Sequence, residues 1–244
     1  MTDVRLVQAG GIRLAYRESG SPADAPVVLL HALGETSADW DQVAAALSDS
    51  WHVYALDLRG HGASDWPGSY TLALLRDDVL AFLDVLELPQ VAVIGHSMGG
   101  AAAYLLAMRR PGRVSRLVLE EPAPPWPRVP RTPVRPPGPL SFDWAVTALS
   151  AEASDPPASS RTGLAAITAP TLIVAGGPDS HVSQDRLADM AGLIPGARLV
   201  TIPAGHLVHA TRPARFISVV TGFLGPSGRR AGPGGPGCPP EPPG

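Results

Sequence analysis

Gly95-His96-Ser97-Met98-Gly99 follows the apolar, β-branched run Val91-Ala92-Val93-Ile94 and leads into an Ala- and Leu-rich stretch from Gly100 to Arg110. The pattern reads as strand, sharp turn, helix, with Ser97 at the apex. So tight a turn drives its central residue to positive φ. Glycines at 95 and 99 let the strand and helix backbones pass closely. Two chemical results follow. The Ser97 hydroxyl projects clear of the sheet edge, and the Met98 N–H at the helix start points to where an oxyanion would form.

On either side of this turn, short apolar runs alternate with amphipathic stretches. Val27–Leu30, His52–Leu56, Val114–Leu119, Thr171–Ala175 and Arg198–Ile202 read as strands. Thr36–Leu47, Thr71–Leu86, Gln184–Ile194 and His209–Leu224 read as helices. Val4–Gln8 and Ile12–Arg17 flank Gly10-Gly11 as a hairpin would. The alternation predicts an α/β fold, a mostly parallel central sheet with helices on both faces.

The alternation breaks after the sixth strand. Residues 121–139 are dense in proline and should be irregular. Ser141–Glu152, with Phe142, Trp144, Val146 and Leu149, reads as one short helix ended by Asp155-Pro156-Pro157. The expected organisation is a core of residues 1–121 and 166–224, a short Pro-rich cap at 122–165, and a disordered Pro/Gly tail at 225–244.

Composition narrows the function. A chain of 244 residues, 45% apolar, suits one domain, and its net charge of −3 gives no electrostatic reason to expect nucleic acid or an anionic membrane as partner. Every basic residue is Arg, which excludes a Lys Schiff base and a Walker-type phosphate Lys. The single cysteine, Cys238, forms neither a disulfide framework nor a metal cluster. The N-terminus lacks the apolar core of a signal peptide and no apolar run is long enough to span a membrane, so the expected location is cytoplasmic.

In such sheets the site lies at the carboxyl ends of the strands. The loops there are 31–35, 57–64, 95–99, 120–122, 176–181 and 204–209. A serine hydroxyl needs a base, and the base needs an orienting carboxylate. His206 is the candidate base. Asp179, after the neighbouring strand, is the candidate acid, with Glu120 and Glu121 as rivals at the same sheet edge. Leu33 offers a second oxyanion N–H. Asp57, Arg59 and His61 are expected to hold their loop, and His96 to pack and hydrogen-bond. His206 and His209 stand three apart without a third ligand at a suitable spacing, so no metal is expected, and no cofactor.

The chain resembles the α/β-hydrolase-fold serine hydrolases from Val4 to about Leu224. The likeness rests on His31-Ala32-Leu33-Gly34, the Asp57–Ser64 loop, the Ser97 elbow, the Asp179 loop and Gly205-His206. It implies the fold, a Ser97–Asp179–His206 triad, and a cap inserted after the sixth strand. Two features depart from the family: Ala32 stands where Gly is usual, and the cap is short and Pro-rich. The expected activity is acyl-enzyme hydrolysis of a small to medium, mainly apolar ester. His31, Trp126, Phe142 and Trp144 are the expected substrate-binding residues. Carbon–carbon bond hydrolysis, acyl transfer by the same triad, and a non-catalytic ligand-binding role are the alternatives. Serine rather than a carboxylate at the elbow argues against halide or epoxide displacement.

Overall fold

Strand β5 (Val91–His96), which delivers the elbow, runs fully buried through the middle of an eight-stranded sheet. The computed structural model describes residues 3–130 and 132–226. Its strands are β1 (Val4–Ala9), β2 (Ile12–Ser19), β3 (Pro26–Leu30), β4 (His52–Asp57), β5, β6 (Val114–Glu120), β7 (Thr171–Ala175) and β8 (Arg198–Thr201), in the order β1-β2-β4-β3-β5-β6-β7-β8. The β1–β2 and β2–β4 pairs are antiparallel and every other pair is parallel. The β3, β4 and β5 side chains are buried throughout, which explains why these segments read as unbroken apolar runs.

Helices cover both faces. They are α1 (Asp41–Leu47), α2 (Leu72–Val85), α3 (Ser97–Arg109), α4 (Leu149–Glu152), α5 (Ala158–Thr162), α6 (Gln184–Leu193), α7 (Val208–Thr211) and α8 (Pro213–Leu224). Thr71 caps α2 by accepting the Leu74 N–H at 3.1 Å, and Leu75, Val79, Phe82 and Leu83 form its buried stripe. One apolar cluster joins α2, α3 and α6 to the sheet, and a second joins α1 and α8 to the other face.

Two predicted helices differ from those found. The stretch 209–224 divides at Arg212, because Pro213 has no N–H to give the turn before it. The expected Ser141–Glu152 helix is a 3₁₀ turn (Trp144–Ala148) running into α4, and α5 follows it unforeseen. Val146, Leu149, Leu164 and Ile167 from the inserted segment pack into the same apolar cluster as α2 and α3. Of the expected tail, residues 227–244 lie outside the described residues. Among the described residues, no helix is long and apolar enough to cross a membrane.

The close packing of α3 on the sheet sets the geometry of the elbow. A Cβ at Gly99 would overlap the carbonyl oxygens of Leu30 and His31, and one at Gly95 would overlap the Gly99 carbonyl. Gly99→Ala must therefore push α3 off β3, which we expect to lower stability by about 1–3 kcal/mol in urea unfolding. Gly112→Ala, with nothing within 4 Å of the added carbon, is the matched control and should barely move the midpoint. Equal midpoints for the two variants would contradict the close-packing account.

Candidate active site

Ser97 has φ +50, an uncommon value for a residue with a side chain. It opens into a cavity of about 460 Å³ that Leu33, Met98, His181 and His206 also line. Met98 lies in the first turn of α3, where an N–H has no carbonyl behind it within the helix. A second cavity of about 440 Å³, between α2, α3 and the inserted segment, contains neither Ser97 nor His206.

The His206 imidazole faces Glu121. Its Nδ1 lies 3.4 Å from Glu121 Oε2, leaving Nε2 as the nitrogen able to take a proton from a hydroxyl. Glu121 is fully buried and, like Ser97, sits at positive φ, +43. Burial pushes its carboxyl up. Hydrogen bonds from His206, the Ser180 hydroxyl, the Gly176 N–H and the Gln184 amide outweigh that and hold it below the usual range. Gly176 must be glycine, since a Cβ there would overlap the Gly205 carbonyl.

Asp179 does not occupy this position. It is exposed on the loop between β7 and α6, while Glu121 reaches the same imidazole from the end of β6. The structure brings Glu121, not the expected Asp179, to His206 Nδ1. An exposed side chain on a turn is solvated, whereas a carboxylate enclosed by four donors is fixed in place.

The turn carrying Leu33 is held by two neutral histidines. His31 Nδ1–H donates to the Ala32 carbonyl at 2.7 Å, and its Nε2 accepts the Leu58 N–H at 2.9 Å. His61 Nδ1–H donates to the Arg59 carbonyl at 3.0 Å, and its Nε2 accepts the Gly34 N–H at 3.1 Å. Burial lowers both, and with the nearby His31 it brings His61 to about 3. Asp57 accepts from Ser37 N at 2.7 Å and Ala63 N at 2.9 Å, and the buried Arg59 pairs with Asp78. These are the loop-holding roles expected of them.

Behind His206 lies a buried ion cluster. Glu120 bonds His209 Nδ1 at 2.7 Å, Asp39 bonds His209 Nε2 at 3.0 Å, and the imidazole stacks on Trp40 at 4.3 Å between centroids. Burial alone would lower His209. The hydrogen bonds to Asp39 and Glu120 outweigh it and raise the group to about 10, so it is a cation. Burial lowers His96 to about 4, and its Nε2–H donates to the His206 carbonyl at 2.9 Å. Asp39, His96 and His209 are close enough to share a metal ion, but protonated His209 is already satisfied by two carboxylates.

Four expected substrate contacts lie outside the cavity that Ser97 lines. His31 is buried under the Leu33 turn. Trp126 is buried beneath Arg186, whose guanidinium stands 5.5 Å above its ring. Phe142 stacks on His61 at 5.6 Å and lies 6.2 Å from Trp144. The cavity wall instead includes Glu35, Leu72, Arg128, Leu149, Ser150 and Leu207. Ser180 and Gln184, which orient Glu121, carried no sequence signal beyond membership of a polar loop. Glu121 did carry one: two adjacent carboxylates close an apolar strand, where each needs a partner.

A family model described as alpha/beta hydrolase fold matches residues 25–157. A hydrolase from Pseudomonas aeruginosa PA01 of known structure superposes with a TM-score of 0.80 at 30% identity, covering 91% of this chain and 98% of that one. An uncharacterized protein of Mycobacterium bovis is 40% identical over 111 residues, which is 45% of this chain and 32% of the relative. The 3-oxoadipate enol-lactonase 2 of Acinetobacter baylyi is 37% identical over 113 residues, 46% of this chain and 42% of that enzyme. The matched stretch thus spans less than half the length of either curated relative.

The ion cluster gives a signed pH dependence. His209 is raised to about 10, so its contribution is full below its unfolded value of about 6.5 and is lost as pH rises through 10. His61 and His96 are depressed to about 3 and about 4, so theirs is full above 6.5 and is lost as pH falls toward those values. His209→Gln strands Glu120 without a cation and should cost about 3–5 kcal/mol. Melting temperatures between pH 6.5 and 10 should fall more steeply for the wild type than for this variant. Parallel profiles would contradict a buried charged His209.

Proposed function

The chain belongs to the alpha/beta hydrolase fold family, and on that premise we propose that it is a serine hydrolase using Ser97, His206 and Glu121 as its triad. One observation carries the proposal. A serine at a strained strand-to-helix turn shares a cavity with a histidine whose far nitrogen faces a buried carboxylate.

Ser97 Oγ attacks an ester carbonyl carbon while its proton passes to His206 Nε2. The Leu33 and Met98 N–H groups hold the oxyanion that forms. Glu121 keeps the proton of neutral His206 on Nδ1 and stabilises the imidazolium. As the tetrahedral intermediate collapses, the C–O bond breaks and the departing alkoxide takes the proton from Nε2. Water then attacks the acyl-enzyme carbon, giving its proton to Nε2, which returns it to Ser97 Oγ as the acid leaves. No step requires a metal or cofactor. The cavity wall includes Leu33, Met98, Ala101, Leu149 and Val182, which supports a small to medium, mainly apolar acyl group as substrate.

Fluorophosphonate labelling should shift the mass of the Ser97 peptide, and Ser97→Ala should abolish both the shift and turnover, by a factor of about 10⁴ or more. Glu121→Gln should lower kcat by about 10³–10⁴ by favouring the wrong His206 tautomer, while Asp179→Asn has a far smaller effect. The reverse ranking would return the acid to the loop after β7.

A further inference from the structure

A second, smaller cavity of about 160 Å³ adjoins the one at Ser97, and Arg128, Ser150 and His181 line both. These three residues form the polar junction between the two spaces. Ser154 and Val129 complete the annex. Arg128 is tethered at its base, since its N–H donates to the Ser154 carbonyl at 2.8 Å and its Nε to Ser154 Oγ at 3.4 Å. His181 stands 4.1 Å from His206 between ring centroids, so the junction lies next to the proposed base.

The charge pattern of the annex is one-sided. Among the described residues that line it there is a guanidinium, an imidazole and two hydroxyls, and no carboxylate. The carboxylate of the main cavity, Glu35, does not line the annex. It follows the Leu33 turn, and its electrostatic neighbours are Asp39 and His209. Burial and Asp39 raise its carboxyl. An apolar space ending in a guanidinium fits a chain that is apolar along its length and anionic at its end. The planar fork of Arg matches a carboxylate through two N–H groups.

We propose that the annex is a carboxylate subsite, and that Arg128 selects acyl chains bearing a terminal carboxylate. The inference rests on the serine hydrolase reading above and names the substrate class for that site. Arg128 is a specificity residue that acts on binding, while the bond-making steps remain with the triad.

The test compares two ester series with one leaving group. The 4-nitrophenyl monoesters of succinate, glutarate and adipate carry the charge. The 4-nitrophenyl butanoate, pentanoate and hexanoate esters of equal chain length do not. We expect at least one anionic ester to exceed its neutral counterpart by tenfold or more in kcat/KM. Arg128→Gln should remove that advantage through KM, so that each anionic ester falls to the level of its neutral counterpart. Added salt should erode the preference, as an exposed guanidinium requires. Equal kcat/KM for the two series, or a parallel loss in the variant, would overturn the subsite. A binding arm needs no turnover: glutarate should raise the melting temperature of the wild type and of Ser97→Ala, but not of Arg128→Gln. Glutarate protection in a protein whose Ser97 resists the fluorophosphonate would keep the subsite and remove the hydrolase. A labelled Ser97 with no anion preference and no protection would do the opposite.

Discussion

The buried carboxylate of Glu121 is the interaction on which the working end of the sheet depends. An ionised carboxylate without partners cannot persist in an apolar interior. This one collects donors from Gly176 just past β7, from Ser180 on the following loop, from Gln184 at the start of α6 and from His206 beyond β8. The charge therefore ties four successive pieces of chain to the end of β6. The Gly176 carbonyl accepts in turn from Ala204 and Gly205, at 2.9 and 3.0 Å, closing the knot beneath His206. The backbone at Glu121 bends to positive φ while its N–H still bonds the Val174 carbonyl at 3.0 Å, so the turn of the side chain does not break the ladder.

The fold was legible because its signals are local and repeat. Buried parallel strands read as apolar runs, the hairpin turns on two glycines at positive φ, and the elbow is a five-residue pattern whose glycines are demanded by contact with β3 and by α3 itself. That Ser97 and His206 meet at one site was legible for the same reason, and they line one cavity. Which carboxylate faces His206 was not, because three carboxylates stand near the sheet edge and only the path of the chain beyond β6 selects among them. Neighbouring residues of a strand point to opposite sides. Glu120 accordingly meets His209 and Glu121 meets His206. The turn around Asp179, with its Gly-Gly-Pro lead, carried the stronger local signal and went to solvent. Of the aromatics of the inserted segment, Trp126 joins the apolar cluster, and Phe142 packs against it and stacks on His61. An aromatic in a proline-rich stretch has no period that separates a pocket wall from a core.

Histidine takes several roles here, and the partner on each nitrogen decides which. His31 and His61 give one N–H to a carbonyl and accept one backbone N–H, an arrangement only the neutral ring can make. His209 has a carboxylate at both nitrogens and can satisfy both only as a cation. His206 lines the Ser97 cavity, as His181 does, and there it has one nitrogen toward a carboxylate. That asymmetry is what a proton carrier needs. One nitrogen keeps its hydrogen and its orientation, while the other can gain and lose a proton within a single turnover.

The supports behind His206 separate those two requirements. His96 holds its backbone carbonyl and Glu121 faces its ring, so chain and imidazole are fixed by different partners. The His209 cation is enclosed by Glu120 and Asp39, two negative charges against one, leaving a net negative cluster behind the loop. The hydrogen bonds from His209 hold both carboxylates in place, and they lower the Asp39 carboxyl. Neutralising His209, on the segment that directly follows His206, would leave the carboxylates of Glu120 and Asp39 with no cation between them.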